Sequence, residues 1–261
     1  FFYAFILRVA PAVMVDDLMR EFAVGAAIVG NLSAVYLYIY AGLQIPVGLF
    51  IDRYGLNYLI AGACAVTGLG AVVFAFAETV SMAYLGRFLI GAGAAFSFVG
   101  ALNMAARWFP NRFAVLGGWA QMLGSAGGFA GQAPLGLAIA TFGWRSTNIG
   151  LGVAGLILAV LLLVTVRNPV QVRRANSVST WSGLKIVASN KQTWLASIGA
   201  GGLTGTLLAF GGLWGVPFMM TARGLTKPEA AGLVSVCFIG WAVAAPLLGW
   251  ISDRIGKRRP L

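Results

Sequence analysis

The sequence contains no histidine, few acidic residues and only two cysteines. Of its 261 residues, seven are Asp or Glu and none is His. Histidine is the commonest metal ligand and a frequent general acid–base group, so its absence argues against most metal-dependent and acid–base enzymes. Cys64 and Cys237 both lie inside apolar runs and give no disulfide framework. We therefore expect neither an enzyme nor a bound metal or cofactor.

Charged residues of either sign are scarce. They make up 10% of the sequence, and hydrophobic residues make up 59%. Soluble domains carry about 25% charged residues, so the bilayer is the expected solvent for most of this chain. The formal net charge is +11. Nucleic acid is not an expected partner, because the basic residues lie between apolar segments and form no basic face interleaved with aromatic residues.

Long stretches without charge mark the predicted membrane spans. Roughly 20 helical residues cross the ~30 Å hydrocarbon core of a bilayer. Seven stretches of at least 19 residues contain no Lys, Arg, Asp or Glu, and an eighth apolar segment is interrupted only by Arg8. We predict an all-α membrane protein. Its eight spans are expected at residues 1–18, 25–50, 57–77, 80–105, 113–140, 146–166, 193–221 and 229–251.

The basic residues are shared unevenly between the two ends of these spans. Four lie at one end: Arg20, Arg145, Arg223 and Lys227. Twelve lie at the other end: Arg53, Arg107, Arg112, Arg167, Arg173, Arg174, Lys185, Lys191, Arg254, Lys257, Arg258 and Arg259. Cytoplasmic loops carry the excess of Lys and Arg, so the loops after spans two, four, six and eight are expected in the cytoplasm. The protein is predicted to be a multi-pass protein of the plasma (inner) membrane.

One short motif occurs twice. The segments 48–55 and 249–256 share the spacing G-x-x-x-D-R-x-G and lie 201 residues apart. Internal repetition of this kind predicts two homologous halves. We expect a six-helix half at 1–166, a basic linker at 167–192, and the first two helices of a second half at 193–261. Four helices of the second half would then be missing from this chain. Residues 181–188 of the linker are expected to form a short amphipathic helix on the membrane surface.

The repeated motif and three further segments resemble the major facilitator superfamily. The further segments are Gly86-Arg87-Phe-Leu-Ile-Gly91-Ala-Gly93 (the helix-four signature), Ala106-Arg107-Trp108-Phe109-Pro110 (the exit of helix four) and Phe142-Gly143-Trp144-Arg145 (the turn between helices five and six). Together these marks cover helices two to eight. The resemblance implies the fold of that family and a monomeric carrier working by alternating access. Its partners would be the lipid bilayer, a small-molecule substrate and a coupling ion.

Arg8 adds a narrower resemblance, to the anion:cation symporters of the same superfamily. Those proteins often carry an arginine in the first helix. They also commonly carry an acidic residue just after the G-x-G of helix four, where this chain has Ala94, Ala95 and Phe96. Proton coupling through that carboxylate is therefore not expected here.

Two arginines, Arg8 and Arg87, lie inside predicted spans. Insertion scales put the cost of a mid-bilayer charge at about 2.5–3.5 kcal/mol, so such a residue should face a cavity or a partner. Arg8 is expected to bind an anionic substrate group, because guanidinium holds a carboxylate with two parallel N–H bonds. Arg87 would add positive potential. The alternatives are that Arg8 reaches an interface and that Arg87 pairs with backbone carbonyls to hold the fold.

Polar groups inside the spans complete the expected substrate site. The predicted substrate-binding set is Arg8, Arg87, Tyr36, Tyr40 and Gln121. Gln132, Thr204 and Trp214 are further polar or amphipathic groups within spans, and packing is the alternative role for each. Glycines crowd the seventh span between residues 199 and 215, so that helix is expected to bend.

The repeated motif is expected to form a cytoplasmic gate. In the family it resembles, the motif aspartate approaches the positive end of a helix in the opposite half. Asp253 would meet the start of helix five near Arg112, and Asp52 would meet a helix outside this chain. The alternative is ordinary turn chemistry at a helix end. The expected gating set is Gly48, Asp52, Arg53, Gly55, Gly249, Asp253, Arg254 and Gly256.

The expected function is secondary active transport of a small organic solute. An organic anion is favoured, because two arginines and no acidic residue lie deep within the predicted spans. One alternative is a carrier of a neutral, zwitterionic or amphipathic solute such as a peptide, sugar or drug. Another is a membrane sensor or scaffold that does not transport.

Overall fold

The computed structural model describes residues 1–54, 56–166 and 180–255, and every element in these ranges is helical. In chain order the helices α1 to α13 are Phe2–Val9, Val15–Glu21, Ala26–Gly42, Gln44–Tyr54, Leu56–Ala75, Val80–Trp108, Phe113–Ala130, Ala133–Phe142, Trp144–Thr165, Thr180–Ser189, Lys191–Ala209, Gly215–Arg223 and Lys227–Ile255. Two 3-10 turns, Ala10–Val13 and Pro110–Arg112, and one π-turn, Phe210–Trp214, connect some of them.

Continuous apolar helices form only part of the predicted bundle. In the described part of the chain, five segments are long and apolar enough to cross a membrane: Leu56–Ala75, Val80–Trp108, Trp144–Thr165, Lys191–Arg223 and Lys227–Ile251. These correspond to predicted spans three, four, six, seven and eight. The pair α2 and α3 passes the same test together but is bent by 114°. The predicted helix order is therefore right.

The predicted continuity is wrong for three spans. Span 1–18 is divided by the 3-10 turn that contains Pro11. Span 25–50 is divided at Leu43, between α3 and α4, and span 113–140 at Gly131 and Gln132, between α7 and α8. The charge-free pattern could not show these divisions, because it reports apolarity and not backbone hydrogen bonding.

Helix α10 confirms the helix predicted at residues 181–188. The rest of the expected linker up to residue 179 lies outside the described residues. In the seventh span, the π-turn separates α11 from α12 at Gly211 and Gly212. Bending of this span stays a prediction.

Contacts between turns show which helix ends lie together. Arg145, at the start of α9, donates a 2.7 Å hydrogen bond to the carbonyl of Ala75, near the end of α5. It also donates at 2.7 Å to the carboxylate of Glu21, at the end of α2. Asp17 of α2 lies 3.7 Å from the ammonium of Lys227, at the start of α13. We call this end of the bundle the turn end, and the end at which α4 and α13 terminate the motif end.

Glycine in α6 permits close helix contacts. A Cβ at Gly91 would lie 2.8 Å from the carbonyl oxygen of Tyr36 in α3. A Cβ at Gly93 would lie 2.8 Å from the backbone nitrogen of Thr67 in α5, and closer still to the carbonyl of Ala63. Residues two apart on a helix point about 200° from each other, so the G-x-G of α6 lets this helix pack tightly between α3 and α5.

Helix α1 ends where Pro11 removes a backbone donor. In a continuing α-helix, the N–H of residue 11 would donate to the carbonyl of Leu7, but proline has no N–H. The N–H of Ala10, which could reach Leu7 in a tighter turn, donates to Ile6. The Leu7 carbonyl therefore needs a donor from elsewhere.

Arg87 of α6 supplies that donor. Its side chain is 2% exposed, and Nη1 donates to the carbonyl oxygen of Leu7 at 2.8 Å. Its Nε donates to the carbonyl oxygen of Leu32 in α3 at 3.4 Å. Arg87 thus links α6 to α1 and α3. These contacts agree with the interpretation in which Arg87 pairs with backbone carbonyls to hold the fold.

Replacing Gly93 by alanine should lower the thermal stability of the protein in detergent. Forcing extra volume into a packed contact costs about 1–3 kcal/mol. Gly62, on α5, is the matched control because its added Cβ would meet nothing within 4 Å. Gly62→Ala should leave the melting temperature unchanged or raise it, since alanine favours a helix over glycine by about 1 kcal/mol. Equal melting temperatures for the two variants would contradict this packing argument.

Arg87→Met should destabilise the protein by about 1.5–3 kcal/mol, the range for hydrogen bonds to charged groups. The Pro11→Ala change restores an N–H that can donate to Leu7. The loss caused by Arg87→Met should therefore be smaller in the Pro11→Ala background. Thermal unfolding of the four proteins measures this coupling. The same loss in both backgrounds would show that Arg87 does not compensate for the proline.

Candidate functional site

Two arginines and two tyrosines lie together where α1, α3 and α6 meet. We call Arg8, Arg87, Tyr36 and Tyr40 the arginine–tyrosine cluster. Tyr36 and Tyr40 stand one helical turn apart on α3, and their rings stack with centroids 6.0 Å apart and planes inclined by 14°. Side chains four residues apart share one helix face, which is why the sequence could pair them. The structure thus brings together four of the five predicted substrate-binding residues.

Arg8 is held by aromatic groups. Its Nε donates to the hydroxyl of Tyr36 at 3.2 Å. Its guanidinium carbon lies 4.5 Å from the ring centre of Tyr40 and 4.6 Å from that of Phe5. Aromatic faces attract cations over such distances. Phe5 was missed by the sequence reasoning, although its position three residues before Arg8 on a helix is a usable signal.

Tyr36 stands between the two cations. Its side chain is fully buried, and its ring centre lies 4.9 Å from the guanidinium carbon of Arg87 and 5.5 Å from that of Arg8. Each arginine keeps a buried Nη2 that has no hydrogen-bond partner in the described part of the protein. The cluster therefore has unused donors as well as two positive charges.

Among the side chains that the structure describes, no carboxylate pairs with either of these arginines. The seven acidic residues all fall at the ends of spans: Asp16, Asp17, Glu21, Glu78 and Glu229 at the turn end, and Asp52 and Asp253 at the motif end. Asp17 already pairs with Arg20 at 3.0 Å and with Lys227. One buried and one partly buried cation, each with a free N–H group, form an arrangement that is suited to binding an anion.

Gln121 is not joined to this cluster. It lies on α7, where its backbone carbonyl accepts a 3.1 Å hydrogen bond from Ser125. Among the described residues, the structure records no hydrogen bond between its side chain and either arginine. Its place in the substrate site stays a prediction.

Another glutamine of the same predicted span joins the two halves. Gln132 is fully buried, and its Nε2 donates to the carbonyl oxygen of Gly211 in the π-turn at 2.7 Å. Nearby, the rings of Phe5 on α1 and Phe238 on α13 meet edge to face with centroids 6.2 Å apart. Because Phe5 also contacts Arg8, the cluster lies beside the contact between the first half (α1–α9) and the second (α11–α13).

At the motif end, α13 packs closely against α7. A Cβ at Gly249 would lie 3.1 Å from the carbonyl oxygen of Ala114, near the start of α7. A Cβ at Gly48, the equivalent glycine of α4, would meet nothing within 4 Å. Arg254 is exposed, with its guanidinium carbon 5.1 Å from the ring centre of Trp250.

The remaining gating residues are only partly described. The backbones of Asp52 and Arg53 belong to α4 and that of Asp253 to α13. Their side chains, together with Gly55 and Gly256, lie outside what the structure describes. The predicted approach of Asp253 to the start of helix five stays a prediction.

A separate cavity of about 250 Å³ lies within the first half. Its walls come from α1, α5, α6 and α9 and include Tyr3, Cys64, Thr67 and Phe96, but no member of the arginine–tyrosine cluster. In the part of the chain that is described, no group of three or more Cys, Asp or Glu residues is placed to hold a metal ion.

The chain is similar to bacterial and human transporters. It is 26% identical to a probable galactarate/D-glucarate transporter of Bacillus subtilis, GudP, over 96% of this chain and 62% of that protein. The same values hold for an uncharacterised transporter of Bacillus subtilis, YybO. It is 30% identical to monocarboxylate transporter 11 of Homo sapiens, over 91% of this chain and 51% of that protein. The chain thus spans about half to two thirds of the length of these relatives.

The fold matches a solved transporter structure. A bacterial homologue of the human lysosomal transporter Spinster superposes with a TM-score of 0.71 at 21% identity, over 97% of this chain and 60% of that chain. The family model described as Major Facilitator Superfamily matches residues 1–261. The all-helical fold, its order of helices and this match agree, and the chain belongs to the Major Facilitator Superfamily.

Proposed function

We propose that this protein is a secondary transporter that moves a small organic anion by alternating access. The observation that carries the proposal is the arginine–tyrosine cluster. Among the described side chains, no carboxylate pairs with its two cations, and their two buried Nη2 groups have no partner. A buried charge without a counterion is strongly disfavoured, so an anionic substrate group would stabilise this site. The names of relatives support the proposal, since they include a galactarate/D-glucarate and a monocarboxylate transporter.

The two arginines have different roles in this proposal. Arg8 is only partly buried, whereas Arg87 is almost fully buried and already donates to two backbone carbonyls. Arg8 would therefore contact the substrate carboxylate, while Tyr36 orients its guanidinium by accepting from Nε. Arg87 would act without contacting the substrate, through its positive potential and by holding the end of α1. Tyr40 and Gln121 would complete the lining of the site.

Proton coupling through a carboxylate deep in these spans is not part of the proposal. Just after the G-x-G of helix four, where the anion:cation symporters commonly have an acid, this chain has Ala94, Ala95 and Phe96. Asp17 lies at the turn end in contact with two basic side chains. Exchange or uniport of the anion is compatible with these residues, and so is an ion site formed by helices outside this chain.

The motif end is proposed to face the cytoplasm of a plasma membrane that the monomeric protein spans several times. The first half would comprise residues 1–166, the linker 167–192, and the second half would begin at 193. The large exposed apolar side chains, among them Val164 and Leu203, suit contact with lipid. The excess of basic residues at the motif end supports the orientation.

We also propose that the repeated motif closes the cytoplasmic side of the pathway. The close approach of Gly249 to the carbonyl of Ala114 supports this role, because it brings the last turns of α13 against the start of α7. Asp253 follows one turn later on the same helix. Its carboxylate would then lie near the positive end of α7. Arg53 and Arg254 would anchor the two loops.

Removing the guanidinium of Arg8 should abolish most anion uptake. Arg8→Gln in the complete protein, reconstituted in proteoliposomes, should lower uptake of a labelled organic anion by about 10- to 100-fold, the loss expected for hydrogen bonds to a charged group. Arg8→Lys should give an intermediate rate, because lysine keeps the charge and loses the two-pronged geometry. Arg223→Gln, a loss of charge at an exposed position of the turn end, is the control and should leave uptake unchanged.

Two results would overturn the anion proposal. One is an uptake rate for Arg8→Gln equal to that of the parent protein. The other is uptake of a neutral or zwitterionic solute that excess organic anions do not inhibit, which would favour a carrier of such solutes.

Gly249→Val should slow transport without weakening substrate binding. The added side chain would press on the carbonyl of Ala114 and keep the motif end from closing, so maximal uptake should fall about five- to 100-fold with little change in KM. Gly240→Val on the same helix is the control, because a Cβ there meets nothing within 4 Å. A matching fall in both variants would indicate a general effect of valine on α13 and would contradict the gate.

A further inference from the structure

The π-turn in the second half frees a backbone carbonyl. In a regular α-helix the N–H of Gly215 would donate to the carbonyl of Gly211, four residues earlier. Here that N–H donates to Phe210, five residues earlier. The carbonyl of Gly211 therefore loses its α-helical donor inside a bundle where water is scarce.

Gln132 of the first half supplies a donor to this carbonyl. It lies in the gap between α7 and α8, where Pro134 occupies the first turn of the following helix. From this gap its Nε2 reaches the Gly211 oxygen at 2.7 Å. The side chain is fully buried, and its Oε1 has no partner within the described residues. The hydrogen bond from Nε2 of Gln132 therefore joins the first half to the second.

Three irregular backbone segments meet at this point. A Cβ at Gly131, beside Gln132, would lie 2.5 Å from a methyl carbon of Val9, at the end of α1. A Cβ at Gly212 in the π-turn would lie 3.7 Å from the other methyl carbon of Val9. Val9 follows Arg8 directly, so the contact of the halves is continuous with the backbone that carries the proposed substrate arginine.

The contact lies toward the turn end. Gln132 lies beyond the 18 residues of α7, which starts at the motif end. Only the short helix α8 separates Gln132 from the turn end, where α9 begins. The ion pair between Asp17 and Lys227 joins the same two halves at the turn end itself. Both interactions must be given up if the halves separate on this side.

We propose that Gln132 is a positioning residue that holds the π-turn of the second half against the first and thereby favours the conformation closed at the turn end. The proposal rests on alternating access and is independent of the substrate. A neutral amide–carbonyl hydrogen bond contributes modestly in net terms, so it can be made and broken in each cycle. Loss of the bond should shift the population toward opening at the turn end and away from opening at the motif end.

The test uses two single-cysteine reporters in the complete protein with its native cysteines, Cys64 and Cys237 among them, replaced by serine. Val9→Cys reports on the contact between the halves, since Val9 is fully buried there. Ala245→Cys reports on the motif end, where its backbone packs against Gly118. Labelling rates with a membrane-impermeant maleimide are measured in right-side-out and inside-out vesicles without substrate.

Gln132→Met removes both polar atoms at similar volume, and Gln132→Asn shortens the side chain below the reach of Gly211. With either change, labelling of the Val9→Cys reporter from the turn end should rise about two- to tenfold, the range set by one lost hydrogen bond. Labelling of the Ala245→Cys reporter from the motif end should fall. Gln44→Met is the matched control, because Gln44 of α4 donates to the carbonyl of Tyr40 in α3, within the first half, and both rates should stay at the parent values.

Opposite changes at the two reporters are required. A rise at both would indicate general loosening of the structure and would overturn the proposal, and so would unchanged rates in a variant that remains folded by gel filtration. If Gln132→Met fails to fold, the Gln132→Asn variant decides by the same criteria. Because no substrate is present, failure of the anion proposal would leave these rates as they are.

Discussion

A backbone carbonyl that loses its donor inside a membrane must find another, and this constraint shapes the centre of the protein. Water cannot supply the donor in the hydrocarbon core, so a side chain from a neighbouring helix has to reach it. Pro11 leaves the Leu7 carbonyl without a donor, and Arg87 compensates. The π-turn diverts the donor of the Gly211 carbonyl, and Gln132 compensates. In both cases, an irregularity in one helix leaves a carbonyl without its helical donor, and a polar side chain from another part of the chain donates to it.

The positive charge of the site is related to the first of these two interactions, the hydrogen bond from Arg87 to the Leu7 carbonyl. Arg87 is buried where it donates to the Leu7 carbonyl, and its charge lies beside Tyr36, which also contacts Arg8. Aromatic rings and carbonyl dipoles stabilise the two cations but do not cancel them. The remaining N–H groups and the uncompensated charge give the site its affinity for an anion in our proposal. The residue that holds the fold and the residue that would bind substrate are therefore adjacent parts of one arrangement.

Much of the architecture could be predicted from the sequence. The charge-free stretches indicated the order and position of the helices, and the repeated motif and the helix-four signature indicated the family. The helix breaks were not predicted, because Pro11 and Pro134 in apolar runs allow either a kink or a break and the π-turn depends on neighbours. Arg8, Arg87, Tyr36 and Tyr40 were identified as charged or amphipathic groups within spans. The role of Gln132 was missed, because a single glutamine in an apolar helix carries no signal that distinguishes packing from function. Phe5 was missed although it lies three residues before Arg8 on the same predicted helix.

The sequence by itself determined that the chain enters a bilayer, in which order its helices run and where its few charges lie, since these follow from local composition along one dimension. Only the tertiary structure decided to which carbonyl Arg87 and Gln132 each donate, and which helices meet at Tyr36 and at the π-turn. These pairings join residues separated by 55 to 80 positions. Local propensity does not specify contacts at such separations, because they depend on how close the helix backbones approach, and glycine at Gly91 and Gly93 permits that approach only when the facing helices are in place.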